Sequence, residues 1–142
     1  MNALLTLAQA SLILQAALAA ARQAEHPPMA VVVLDEAGHL KAAAREDGAS
    51  MLRTDIATGK AWAVVGMGVS SRVLAERARG NPAFFQALAS TAQGRFLPQA
   101  GAVPIRAVDG RLLGAVGASG SHGDDDEAIC LAGVLAAGLR AE

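Results

Sequence analysis

The chain has 142 residues, a formal net charge of −1, three phenylalanines, one tryptophan, no tyrosine and a single cysteine. A chain of this length fills one domain, residues 1–142, with a core that needs neither disulfides nor a structural metal, and leaves no room for a second. The near-neutral charge and scarce aromatics provide neither a phosphate-binding footprint nor a base-stacking platform, which excludes nucleic acid as a partner.

The amino-terminal run from Met1 to Ala21 lacks a basic leader and is broken by Gln9, Ser11 and Gln15, so it reads as a retained helix rather than a secretory signal. No apolar run reaches membrane-spanning length, and a cytoplasmic protein without a membrane partner is expected. Thr6 and Gln9 have the form of a capping box, which starts the first helix near Leu7. Leu7, Leu14, Leu18 and Ala21 share one face, and Ile13, Ala16, Ala17, Ala20 and Ala24 widen it. His26-Pro27-Pro28 ends that helix.

Met29 to Leu34 and His39 to Arg45 read as two strands of a hairpin around Asp35-Glu36-Ala37-Gly38. Asp47-Gly48 breaks the second strand, and Leu52 to Gly66 has helical spacing. Ser70 or Ser71 caps a short helix from Arg72 to Arg79, and Asn81-Pro82 opens another that carries Phe84, Phe85 and Leu88. Phe96-Leu97, Ala102 to Val108 and Leu112 to Ser119 read as strands three to five. Asp124 to Leu139 is the last helix, with Asp124 as its cap, acidic residues in its first turn and Arg140 at its basic end. This order favours an α/β (α+β) domain whose antiparallel sheet is flanked by helices.

Gly114, Gly117 and Gly120 recur at every third position through the last strand. Such glycines mark a close approach of backbone or ligand, which makes this segment the candidate wall of a pocket. Neither this series nor Gly66-Met67-Gly68 completes a nucleotide-binding loop.

Val33-Leu34-Asp35-Glu36-Ala37-Gly38-His39-Leu40, Arg45-Glu46-Asp47-Gly48-Ala49, Ile56-Ala57-Thr58-Gly59-Lys60-Ala61, Val103-Pro104-Ile105, Leu113 to Gly120 and Asp126-Glu127 occur in this order. Together they resemble the GlcG/HbpS family of haem-binding-like proteins, from about Leu5 to Leu139. The resemblance implies a profilin-like fold with a five-stranded antiparallel sheet, a homo-oligomer between dimer and octamer, and haem or another tetrapyrrole as ligand. Ala100-Gly101-Ala102 and Ser121-His122-Gly123 depart from the family's usual Gly-Gly and Gly-Thr-Pro.

The residues themselves leave several chemistries open. Haem needs an apolar slot and an axial ligand, for which His122 beside the glycine-lined strand is preferred over His26 and His39. Ligand contacts are assigned to Gly114, Gly117, Ser119, Gly120, Ser121, His122, Arg45, Lys60 and Phe84, with Arg53 as a further fork for a carboxylate. Lys60, beside Asp55 or Asp47, or else His122, is the candidate acid/base if the protein is instead an enzyme or enzyme accessory acting on a small hydroxy or oxo acid. A third reading is a purely structural assembly module. Arg45 and Asp47 read as an ion pair around their turn, and Cys130 as a small buried hydrophobe. His122, Asp124 and Asp126 are the residue types of a metal site, but helix capping explains the carboxylates without one. The apolar share of 53% exceeds that of an ordinary monomer, and the first helix is assigned to a subunit contact.

Overall fold

The computed structural model describes residues 3–142; Met1, where the amino-terminal run begins, lies outside them. Helix α1 (Leu7–Gln23) opens on the capping box: Thr6 Oγ1 accepts from the Gln9 N–H, and Gln9 Oε1 accepts from the Thr6 N–H, both at 3.0 Å. Strands β1 (Ala30–Asp35) and β2 (Leu40–Arg45) form the hairpin. Asp35 Oδ1 accepts from the N–H groups of Ala37 and His39 and closes the turn. Helices α2 (Leu52–Met67), α3 (Ser71–Gly80) and α4 (Pro82–Thr91) follow, then strands β3 (Ala102–Arg106) and β4 (Leu112–Ser119) and helix α5 (Gly123–Ala136).

The strands form one antiparallel sheet in the order β2-β1-β4-β3. Alternation splits its side chains between two cores. Val31, Val33, Val103, Ile105, Val116 and Ala118 pack with Ile13 and Ala17 of α1 and Ile129 and Val134 of α5. Val32, Leu34, Ala102 and Ala115 pack with Ala57, Ala61 and Val64 of α2. Because β1 is covered on both faces, its sequence is an unbroken apolar run rather than an alternating one.

Four strands are present among the described residues, not the five expected. Phe96-Leu97 forms no strand because its backbone is bound elsewhere: the Leu97 N–H donates to the Gly59 carbonyl on α2 at 3.2 Å, and Phe96 packs beside Leu74 and Ala63. The outer edge of β3 is closed as well. Ser71 Oγ accepts from the Ala102 N–H at 2.8 Å and donates to its carbonyl at 3.2 Å, Pro104 has no N–H, and Arg106 pairs with Arg140. Ser70, not Ser71, therefore caps α3, accepting from Val73.

Other boundaries move for equally local reasons. β3 stops at Arg106 because Ala107 turns to donate to the Arg111 carbonyl. α5 stops at Ala136, where Gly138 takes a φ of 72°, so Arg140 lies beyond the helix, bonded to Arg106. His122, not Asp124, occupies the cap position of α5. On α1 the buried residues are Ala10, Ile13, Leu14, Ala17 and Ala21, while Leu7, expected on that face, is 60% exposed.

Candidate functional site

The glycine series does not line a pocket; it admits the protein's own chain. A Cβ at Gly114 would run into the Leu34 carbonyl, and one at Gly117 into the Ala57 carbonyl and Ala61 of α2. At Gly120 it would lie 2.5 Å from the Pro28 carbonyl and from Met29 Sδ. The missing side chains let β1, α2 and the segment before β1 pack directly against β4.

A cavity of about 670 Å³ opens instead where β4 runs out, bounded by α2, α3, the segment before β3 and the start of α5. Helix α2 contributes Arg53, Ile56 and Lys60, which lie three and four residues apart and so project from one side. Ser119 ends β4, Ser121 and His122 form the loop after it, and Asp124 and Asp126 begin α5. Arg72 and Arg79, seven residues apart on α3, share a face over the opening, and Leu97, Gln99 and Ala100 close the remaining side.

The floor is a buried ion pair. Lys60 Nζ donates to Asp126 Oδ2 and to the Ala118 carbonyl, both at 3.1 Å, and Asp126 Oδ1 accepts from the Ser121 N–H at 3.0 Å. Burial pushes the Asp126 carboxyl above its usual range, with Lys60, the Ser121 amide and Arg53 opposing that shift in part. The partner of Lys60 is thus neither Asp55 nor Asp47. The side of α2 that carries Lys60 is pressed against β4, so the facing carboxylate comes from α5. Gly101, at a φ of 134°, passes so close that a Cβ there would lie 2.5 Å from Lys60 Nζ.

Nearer the opening, Arg53 Nη1 donates to the buried Ser119 Oγ at 3.2 Å. Arg72 donates from Nε to both carboxylate oxygens of Glu127 at 3.2 Å and from Nη2 to Asp124. Those bonds raise the Arg72 guanidinium above its usual pKa, Asp124 contributing most. Ser121 Oγ donates to Asp125 Oδ2 at 2.7 Å and holds that carboxyl below its usual range. His122 is exposed on the cavity wall.

Of the residues selected from sequence, Lys60, Ser119, Ser121 and His122 meet in this cavity, joined by Arg53. Arg45 does not. It lies at a separate groove with Arg22, Pro28, Glu46 and Asp47, where Nη1 donates to the Ala49 carbonyl at 2.5 Å. The ion pair there joins Arg22 to Glu46 at 3.0 Å rather than Arg45 to Asp47. Phe84 is half-exposed on α4, edge-to-face with Phe85 at 5.3 Å, away from the cavity. Asp124 turns to Arg72 and Asp126 to Lys60, so they do not converge with His122 on a common point. Among the described residues no three His, Cys, Asp or Glu side chains group as metal ligands. Cys130 is fully buried, its thiol pushed far up by that burial.

Sequence reasoning passed over Arg72, Arg79, Gln99 and Gly101 as site residues. The seven-residue spacing of the two arginines on a short helix was the available signal; Gln99 and Gly101 carry none, because a loop has no period.

A family model described as haem-degrading protein HbpS-like matches residues 5–135. The chain belongs to the HbpS-like family. Among solved structures, HbpS is 27% identical, with 95% of this chain and 91% of that one covered and a TM-score of 0.81. A double mutant of Streptomyces reticuli HbpS is 29% identical, with 95% and 88% covered and the same TM-score. The PduOC:heme complex, 24% identical, shares the fold over 99% of both chains at a TM-score of 0.88. No curated protein matches the chain. No helix among the described residues is long and apolar enough to cross a membrane.

Proposed function

We propose that this protein binds haem or a related tetrapyrrole in the cavity at the end of β4, with His122 as the axial ligand. The observation that carries the reading is the exposed imidazole of His122 on the wall of a 670 Å³ cavity, a size within the usual ~300–1,000 Å³ range of small-molecule sites. The residues fit a tetrapyrrole in kind: Ile56 and Leu97 offer apolar contact, and the arginines offer partners for its carboxylates. Bound haem supplies a redox-active iron; the chain's own part is to seat the ring and present an imidazole nitrogen. Membership of the HbpS-like family and the likeness to a haem complex of PduOC support the ligand class.

The buried pair gives this site a rigid base. Ser121, adjacent to His122, is tied through its N–H to Asp126, and Asp126 is tied to Lys60, so the loop that carries the imidazole is anchored to α2 and α5. Lys60, which donates to Asp126 and to the Ala118 carbonyl, is read here as a positioning residue rather than a base.

Assembly into a homo-oligomer accompanies this reading. Leu4 before α1 and Leu7 and Leu12 in its first turns are 64%, 60% and 48% exposed, and exposed apolar surface favours burial against another copy.

Titration with hemin tests the ligand. A shifted Soret band that is lost in His122→Ala is expected. Absence of any shift in the wild type would remove the tetrapyrrole reading, and an unchanged band in the variant would remove His122 as ligand. Native mass spectrometry tests assembly: Leu7→Glu should lower the subunit number, and a wild type that is monomeric at high concentration would refute it.

A further inference from the structure

The geometry points to Arg53 and Arg79 as a two-armed clamp that selects a ligand carrying two carboxylates. This inference rests on the reading of the cavity as a ligand site and names the chemical class that the site takes.

Four cationic side chains line the cavity, and they fall into two pairs. Lys60 is matched by Asp126, and Arg72 by Asp124 and Glu127. Arg53 donates to the neutral hydroxyl of Ser119 and its charge reaches Asp126 only at longer range, and Arg79 has no ion pair or side-chain hydrogen bond among the described residues. The carboxylates that line the cavity, Asp124 and Asp126, are already engaged by Arg72 and Lys60, so neither Arg53 nor Arg79 has an ion-pair partner there.

Their placement suits a ligand with two arms. Arg53 projects from α2 and Arg79 from α3, on different walls of the same opening, and a guanidinium presents a planar fork that a carboxylate matches with two hydrogen bonds. Ile56, one turn from Arg53, and Leu97 supply apolar surface in the same cavity. The matching ligand has an apolar body and two carboxylates. A tetrapyrrole with two acidic side chains has this chemistry, and so does a small free dicarboxylate.

Binding of hemin, hemin dimethyl ester and succinate to the wild type and to Arg53→Gln/Arg79→Gln separates these sources. Hemin is expected to bind the wild type at least roughly tenfold more tightly than its ester, the scale of a lost charge-assisted contact. The double variant should weaken hemin to the level of the ester and leave the ester unchanged. Arg53→Lys, which keeps the charge without the fork, should fall between, and thermal unfolding checks that each variant is folded. Equal binding of hemin and ester by the wild type, or a double variant that binds hemin as the wild type does, overturns the clamp and leaves the tetrapyrrole reading standing. If hemin does not bind at all, that reading fails and succinate decides: calorimetric binding lost in the double variant supports the clamp for a free dicarboxylate, and no succinate binding overturns it.

Discussion

Lys60 Nζ on α2 and Asp126 Oδ2 on α5 lie 3.1 Å apart, with side chains only 6% and 2% exposed. They come from helices on opposite faces of the sheet and meet at the carboxyl-terminal end of β4. Their remaining bonds, to the Ala118 carbonyl and the Ser121 N–H, leave no buried side-chain polar atom unpaired among the described residues. The pair therefore joins the two helical layers at the point where the sheet can no longer do so.

Removing one partner should cost more than removing both. Lys60→Met leaves a buried carboxylate without its counter-ion and is expected to cost about 3–5 kcal/mol at neutral pH, most of which Lys60→Met/Asp126→Asn should recover. The Asp126 carboxyl already titrates above its usual range because it is buried. A carboxyl with a folded pKa above its unfolded one binds its proton more tightly when folded, so stability falls as pH rises from the ordinary carboxylate range through the folded value. Lys60→Met should steepen that fall and shift it to higher pH. Urea titrations at several pH values measure both, and a pH-independent difference between Lys60→Met and the double variant would contradict the assignment.

Two glycines should respond to alanine with opposite signs. Gly117→Ala forces a methyl group into the Ala57 carbonyl and Ala61 of α2, and is expected to cost at least ~1–3 kcal/mol by overpacking. Gly66→Ala, near the end of the same helix with nothing within 4 Å of the new carbon, should stabilise by about 0.5–1 kcal/mol through helix propensity. Chemical denaturation of the two variants reads both signs.

Ser71→Ala removes the only side chain among the described residues that is bonded to the backbone N–H and carbonyl of Ala102. Leaving those buried groups unpaired should cost about 1–3 kcal/mol. Amide exchange at Ala102 should accelerate more than at Val116, which lies inside the sheet; equal acceleration would mean that the loss is global.

Cys130 is wholly buried, and burial pushes its thiol far above the ordinary range. A thiol reagent at neutral pH should label the native protein only at the rate of unfolding and the denatured protein at once. Rapid native labelling would show that the middle of α5 opens.

The elements themselves were legible in the residues. Thr6 and Gln9 announce α1, the apolar run of β1 announces a strand, and Asn81-Pro82 announces α4, because caps, turns and periods depend on neighbours within four positions. The family was legible too, since its motifs fall in order along the chain. Phe96-Leu97 misled because its apolar pattern suits a strand, while its backbone is held by a helix carbonyl that local sequence does not reveal.

The site divides along the same line. Sequence selected Lys60, Ser119, Ser121 and His122 as chemistry-bearing residues, and the fold alone decided that Lys60 faces Asp126, that Arg72 and Arg79 reach the same cavity, and that Arg45 and Phe84 do not. It also decided that Gly114, Gly117 and Gly120 receive the protein's own backbone. A glycine states that something comes close; what comes close is fixed by the packing of elements distant in sequence, and that is a property of the folded chain.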